Sequence, residues 1–180
     1  NVTPTESYVY DRRGNPTEKT DAAGARTLYW YDKFGRLTHE LSPLGSLKRH
    51  FYDAAGNLAE TRVYANAVTA PANAKNGGPA GAGGYRATHY QYDALGRLKK
   101  TITPNITVVS YTSALNVATQ SLETTYDYDA MGNVVRVTDA KGAQTYSYYD
   151  KLGRKTDEID AGLYRTSWLY FADGNVRSER

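Results

Sequence analysis

The first chemistry this sequence offers is a series of repeated carboxylates. Asp11, Asp32, Asp53, Asp93, Asp129 and Asp150 each follow a tyrosine. Each is followed three residues later by a glycine: Gly14, Gly35, Gly56, Gly96, Gly132 and Gly153. Regularly spaced carboxylates invite a calcium reading, and calcium wants about six to eight oxygens at roughly 2.3–2.6 Å. If each Asp sits on its own β-hairpin, neighbours lie roughly 9–10 Å apart, two inter-strand spacings. They cannot then share an ion. The turns also lack the clustered acidic and glycine pattern of calcium-binding β-helix repeats. The reading preferred is structural, with each Asp capping its own turn.

The other reactive groups are sparse. His39, His50 and His89 are the only histidines. A catalytic His needs a nucleophile and an orienting partner within reach, and no Gly-x-Ser-x-Gly motif is present. His39 and His50 flank the segment Pro43 to Gly45. If that segment reverses the chain, the two face each other nearly opposite across a hairpin. No third ligand is evident, so a metal site is not expected. Arg36, Arg97 and Arg154 follow their glycines and alternate with Asn15, Asn57 and Asn133. They could form a basic edge for a polyanion such as an acidic glycan. Because only alternate copies are charged, closure of the bulge and hydrogen bonding to the adjacent turn is preferred. The aromatics Tyr8, Tyr10, Tyr29, Trp30, Tyr31, Tyr90, Tyr92, Tyr126, Tyr128, Tyr148 and Trp168 could stack on sugars. Packing of a thin, one-layer sheet is the preferred reading for them. No catalytic residue, cofactor or metal is expected.

Composition sets the frame in which these groups must be held. Leu, Ile, Val and Phe number 30 of 180 residues, a share low enough to suggest disorder if charge were high. Net charge is only +3, and there are 17 Tyr. Aromatic surface replaces the missing aliphatic surface, and each ring buries a large area. With no Cys there is no disulfide framework and no thiolate chemistry. The charge is too weak to argue for nucleic acid. No apolar run is long enough to span a membrane as a helix. The chain opens with Asn1 rather than Met, without a signal peptide, and is expected to be a section of a longer polypeptide.

Repetition decides the fold class. The Tyr-Asp pairs are spaced by 21, 21, 40, 36 and 21 residues, and a degenerate copy at Tyr170-Phe171 lies another 21 on. The two irregular gaps are close to two periods, so each is expected to hide a decayed copy. About ten residues after each pair comes a second turn of similar grammar, as in Asp21 to Gly24, Ser42 to Gly45 and Asp139 to Gly142. Asp160-Ala161-Gly162 reads as a shortened version. Asp at the first place accepts backbone N–H groups, and Gly at the fourth supplies the positive φ of a type I turn with a G1 bulge. The stretches between turns are rich in Tyr, Thr, Val and Leu, which is strand composition. Tyrosines two apart, such as Tyr126 and Tyr128, share one face of a strand.

The expected fold is all-β: a meander of antiparallel hairpins of 21 residues, forming a curved sheet of about 14–16 strands. A parallel β-solenoid is the alternative, and two turns per period fit it less well. The array is expected to span residues 1–180, with two breaks. Residues 65–84 are rich in Ala, Gly, Pro and Asn and read as a flexible surface loop. Residues 103–123 read as a degenerate repeat whose turn, Thr112 to Asn116, has lost its Asp-x-x-Gly chemistry.

The motif Tyr-x-Tyr-Asp-x-x-Gly-Arg/Asn resembles the RHS/YD repeat family. Tyr90 to Leu98 and Tyr126 to Asn133 are close to consensus copies. The family includes bacterial polymorphic toxins, the BC components of insecticidal toxin complexes, wall-associated proteins and teneurins. The resemblance implies a sheet that spirals into a hollow shell and holds a C-terminal toxin or effector until delivery. It implies partners as well: neighbouring repeats of the parent chain and the enclosed passenger, with a glycan as a further ligand. It also implies a secreted or cell-surface bacterial protein delivered by a secretion system. The self-cleaving Asp-Pro-x-Gly motif of such shells is absent from this sequence, so a section of wall alone is expected. Terminal strands without neighbours are expected to promote self-association.

Overall fold

A computed structural model describes residues 5–75, 77–111 and 115–179. They form antiparallel strands that follow one another in the sheet in chain order. The chain divides into two compact units, Asn1–His89 and Tyr90–Arg180. The first contains β1 (Ser7–Tyr10), β2 (Pro16–Thr20), β3 (Arg26–Tyr31), β4 (Leu37–Leu41), β5 (Leu47–Tyr52) and β6 (Leu58–Asn66), and most of β7 (Ala82–Tyr92). The second contains β8 (Leu98–Tyr111), β9 (Leu115–Tyr128), β10 (Val134–Thr138), β11 (Gln144–Tyr149), β12 (Lys155–Ile159), β13 (Arg165–Tyr170) and β14 (Val176–Glu179). The fold is all-β and built from hairpins, as the turn grammar predicts. Among the described residues no helix is long and apolar enough to cross a membrane.

The irregular gaps differ from the expectation of hidden copies. Each holds a single enlarged hairpin. In the first, β6 and β7 pair from Glu60 opposite His89 to Asn66 opposite Ala82, and a long connection joins them. In the second, β8 and β9 pair from Lys100 opposite Thr125 to Tyr111 opposite Leu115, with one register irregularity between Thr103 and Ile106. Both long hairpins are extensions of the repeat's own strands. Most of the expected eroded turn, residues 112–114, lies outside the described residues.

Register distinguishes the two kinds of turn. Pairing shifts by one residue beside most Tyr-Asp turns, as between Trp30 and Tyr31 and between Phe51 and Tyr52. It runs without a shift through the alternate turns at Asp21, Ser42, Asp139 and Asp160. A β-bulge bends its strand and raises the local twist. In the first two hairpins a threonine in the bulge donates across the pair, Thr17 Oγ1 to Val9 O at 3.2 Å and Thr38 Oγ1 to Trp30 O at 3.1 Å.

Among the described residues the buried core is small and sits in the first unit. Leu28, Leu41 and Leu47 lie directly opposite one another across three strands and are fully buried, with Trp30 beside them. Part of their cover comes from the segment expected to be a surface loop, whose residues 67–75 and 77–81 carry no strand or helix. Tyr64, Val68 and Ala74 pack against the cluster. Val68 N–H donates to Gly45 O at 2.9 Å, and Arg26 Nη2 donates to Ala72 O at 2.8 Å. The abundance of small residues has a steric cause: a Cβ at Gly78 would fall 2.5 Å from the His39 ring. Val68 and Ala74 are the residues by which this segment touches the core cluster.

The turn at Asp160 is full length rather than shortened. Asp160 N–H donates to Tyr164 O and Leu163 N–H donates to Asp160 O, both at 3.0 Å. The fourth place falls on Leu163, which adopts φ 65°, one residue after Gly162. Hairpin closure dictates the length, so the non-glycine residue takes the left-handed conformation, at a cost of roughly 1–2 kcal/mol. Leu163 is 84% exposed, so its side chain contributes little packing. Leu163→Gly is expected to raise stability by about 0.5–1 kcal/mol after the entropy cost of glycine. Urea denaturation measures this, and an unchanged or lower midpoint would count against the strain argument.

Candidate functional site: the tyrosine–aspartate turns

Each Tyr-Asp turn is closed by the same bonds. In the turns starting at Asp11, Asp32, Asp53, Asp93, Asp129 and Asp150, the Asp N–H donates to the carbonyl of the fifth residue, Asn or Arg. The N–H of Gly14, Gly35, Gly56, Gly96, Gly132 or Gly153 donates back to the Asp carbonyl, all at 2.9–3.2 Å. The glycines take φ between 75° and 92°. The carboxylate completes the turn. Asp93 Oδ1 accepts from Leu95 N–H at 2.9 Å and Arg97 N–H at 3.0 Å. Its Oδ2 accepts from Arg97 Nε at 2.7 Å. In the alternate copies an asparagine amide takes the arginine's place, as from Asn133 Nδ2 to Asp129 Oδ2 at 2.9 Å. These oxygens are already engaged within their own turns. Among the described residues, no group of three or more His, Asp or Glu is placed to hold a metal.

Arg36, Arg97 and Arg154 do more than close their bulge. Each guanidinium lies over the tyrosine ring of the following copy, Arg36 over Tyr52 at 4.4 Å, Arg97 over Tyr128 at 4.5 Å and Arg154 over Tyr170 at 4.7 Å. Each also pairs with its own turn Asp at 2.7 Å. Their charge is therefore neutralised locally. A row of free cations for a polyanion does not arise from these three residues.

The same tyrosines tie consecutive copies together. Tyr31 OH donates to Pro16 O, Tyr52 to Leu37 O, Tyr128 to Leu98 O, Tyr149 to Val134 O and Tyr170 to Lys155 O, at 2.6–3.0 Å. In every case the acceptor is the residue just after the Asn or Arg of the preceding copy. Sequence reasoning missed this bond. The signal was available, because Tyr stands 15 residues after its acceptor in each regular copy.

The candidate aromatics do not form one surface. Tyr8 and Tyr10 stack on each other at 6.2 Å and are exposed. Trp30 is buried in the core cluster against which Tyr64, Val68 and Ala74 pack, so its ring face is not open to a sugar. Tyr29 and Tyr31 flank it in sequence and lie on the opposite face of β3. Tyr90, Tyr92, Tyr126, Tyr128 and Trp168 are half-buried, and Lys155 Nζ lies 5.9 Å from the Trp168 ring. Tyr148 is exposed. A second unanticipated feature is a set of apolar tips: the third turn place holds Phe34, Leu95, Met131 and Leu152, each at least 66% exposed.

His39 and His50 do not face each other. His39 pairs with Arg49 across β4 and β5, while His50 pairs with Thr61 across β5 and β6. The turn between them places His50 one residue out of phase, and alternation sends it to the other face. Burial pushes the His39 imidazole down to about 4, assisted by Arg49. His39 meets the Trp30 ring edge-on at 6.1 Å and accordingly belongs to the covered core.

A sheet closed by hairpins of this kind, bonded copy to copy, defines a β-hairpin repeat protein. Residues 10–47, 31–69, 108–144 and 128–162 match the RHS Repeat family. Together they cover more than half of the chain, and the chain belongs to that family. Similar solved structures include the crystal structure of TcdB2-TccC3-Cdc42, at 19% identity over 99% of this chain and 10% of that one, with a TM-score of 0.48. Another is the Photorhabdus luminescens Tc holotoxin pore carrying a mutated TccC3, at 17% identity over 99% of this chain and 12% of that one, with a TM-score of 0.40. The chain thus spans about a tenth of the length of these structural neighbours. A search of curated proteins gives no match.

Two expected outcomes follow from the bonding. Tyr52→Phe keeps the ring beneath Arg36 and removes only the hydroxyl bond, so it should cost about 1 kcal/mol. Tyr52→Leu, which also removes the cation–π contact, should cost more. An unchanged urea midpoint in Tyr52→Phe would refute the hydroxyl's role as a copy-to-copy tie, and equal losses in the two variants would refute the contribution of the ring.

Acid should unfold the chain in two stages. His39 has a lower pKa folded than unfolded, so the unfolded chain binds more protons between about pH 6.5 and pH 4. Stability therefore falls as pH drops through that window. The turn carboxylates are held below their ordinary value, Asp93 and Asp150 by backbone N–H bonds and Asp129 by the Asn133 amide. Their contribution is complete above the unfolded value of about 3.9 and is lost as pH falls through the folded values. Burial holds the His50 imidazole below its ordinary value as well, so His39→Gln should reduce the first stage, and His39→Gln combined with His50→Gln should abolish it, read by denaturation midpoints at pH 7, 5 and 4.

Proposed function

We propose that this chain is a section of wall in a shell that encloses and shields a polypeptide passenger. Its work is steric exclusion, and it is structural rather than catalytic. The observation that carries this reading is the engagement of the repeated polar groups with one another. The turn carboxylates, the arginines and the tyrosine hydroxyls bond to the turns and to the next copy. Such groups seal a sheet and leave little free chemistry. Membership of the RHS Repeat family supports the same role. A toxin or effector carried C-terminal to the repeats is the passenger proposed, in a secreted or cell-surface bacterial protein. The turn pairs and the tyrosine rows are its scaffold residues. The exposed apolar tips at Phe34, Leu95, Met131 and Leu152 and the terminal strands favour association with further repeats or with other copies.

Exposure of Tyr8, Tyr10 and Tyr148 favours a second reading, an adhesive module that stacks on glycans. Limited proteolysis of the full-length parent protein separates the two. A wall predicts that the downstream passenger survives protease until mild denaturant opens the repeats. If every downstream segment is cut at once under native conditions, the repeats enclose nothing and the adhesive reading takes over.

A further inference from the structure

The first two Tyr-Asp turns depart from the rest of the repeat. Their second places hold Arg12 and Lys33, where the later turns hold Ala54, Ala94, Ala130 and Lys151. The third place holds Arg13 in the first turn and Phe34, Ala55, Leu95, Met131 and Leu152 in the next five. Residues 67–81 contain a single charged side chain, and it too is a cation, Lys75. The fold brings these four cations to one open groove of about 790 Å³ in the first unit. Val9, Trp30 and Ala74 also line it.

The carboxylates of the groove are engaged elsewhere. Glu18 pairs with Arg26 and Asp32 with Arg36, each at 2.7 Å, and neither arginine lines the groove. Asp11 accepts from the Asn15 amide and from the N–H groups of Arg13 and Asn15, at 2.8–3.0 Å. Among the described residues Arg12, Arg13, Lys33 and Lys75 form no ion pair. Two of them are positioned by bonds of their own. Arg13 Nη1 donates to Lys33 O, so a guanidinium of the first turn rests against the backbone of the second. Lys75 N–H donates to Asn73 Oδ1 at 3.0 Å, which fixes the bend that carries it.

We propose that this groove binds a small molecule carrying two or more phosphate groups. A cleft lined by charge of one sign concentrates counter-ions. Arg12 and Arg13 offer planar forks that match phosphate oxygens, and Lys33 and Lys75 add point charges. The number of phosphates follows from the charge. Four cations stand against one carboxylate without a paired cation, Asp11, and so three positive charges are in excess. One phosphate group brings about −1.5 to −2 at pH 7 and leaves part of that excess unmet. The volume lies within the range of about 300–1,000 Å³ usual for small-molecule sites. The site is independent of the containment reading, since it needs only the first two turns and the segment beside them.

The probe is inorganic tripolyphosphate, titrated without metal ions into the 180-residue chain and followed by amide chemical shifts. Saturable shifts in residues 11–14, 32–35 and 73–75 are expected. Arg13→Ala and Lys75→Ala should each weaken binding roughly tenfold, the worth of one charge-assisted bond. Both side chains are on exposed residues, so the fold should survive their loss. Lys151→Ala removes the same charge from the equivalent turn place in the second unit and should leave binding unchanged. No saturable shift, shifts spread over both units, or equal weakening by Lys151→Ala would overturn the site. Orthophosphate and citrate should both bind more weakly than tripolyphosphate. Equal affinity for orthophosphate would overturn the requirement for two phosphates, and equal affinity for citrate, with its three carboxylates, would overturn the choice of phosphate.

Discussion

The fold depends on a carboxylate that satisfies its own turn. A type I turn with a bulge leaves backbone N–H groups pointing inward with no strand partner, and unpaired polar groups are costly. In Asp93 and its equivalents one oxygen takes two of these N–H groups, and the other takes the side chain that ends the turn. Serine substitutes at the alternate turn, where Ser42 Oγ accepts from Ser46 N–H at 3.0 Å. Phe171 shows what happens without either. There the carboxylate moves to Asp173, whose oxygens accept from Asn175 N–H and Asn175 Nδ2. The bond is rebuilt from a different place in the sequence, which marks it as the requirement and the Tyr-Asp dipeptide as one way of meeting it.

Closed turns alone give isolated hairpins, and isolated hairpins are marginal in water. The tyrosine hydroxyl and the arginine stack supply the next level, because both reach from one copy to the next. This explains the composition. A sheet with one layer offers few places to bury Leu or Val fully. A tyrosine can lay its ring along a half-wet surface and end on a backbone carbonyl. Among the described residues the buried aliphatic cluster appears in the first unit, where Tyr64, Val68 and Ala74 pack against it.

Much of this was legible because the decisive signals are local. Asp, Gly and the spacing between them specify a turn within five residues, so the strands and their antiparallel order could be read directly. Long-range consequences were not legible. Nothing in the composition of residues 65–84 says that Val68 and Ala74 pack against Leu28, Leu41 and Leu47, since the small residues that suit a flexible linker also suit close contact with a ring. Gly162 drew attention to the wrong place, because closure length outranks the preference of glycine for positive φ. His39 and His50 seemed opposed until the register set them one residue apart, and one residue changes the face.

The equivalent places in the two units show that covering governs residue type within a constant backbone. Leu28, Trp30, Leu41 and Leu47 have no polar atom apart from the indole N–H, and they are covered. Tyr146, Tyr148 and Arg165 hold three of the same backbone places with side chains that end in hydroxyl or guanidinium groups, and they are open. An uncovered Leu–Trp–Leu surface on a single-layer sheet would be an aggregation hazard. Tyrosine and arginine keep such a surface wet while their rings and methylenes still pack along the strands. The second unit therefore carries the chemistry of an open face, whereas the first carries that of a face covered at folding.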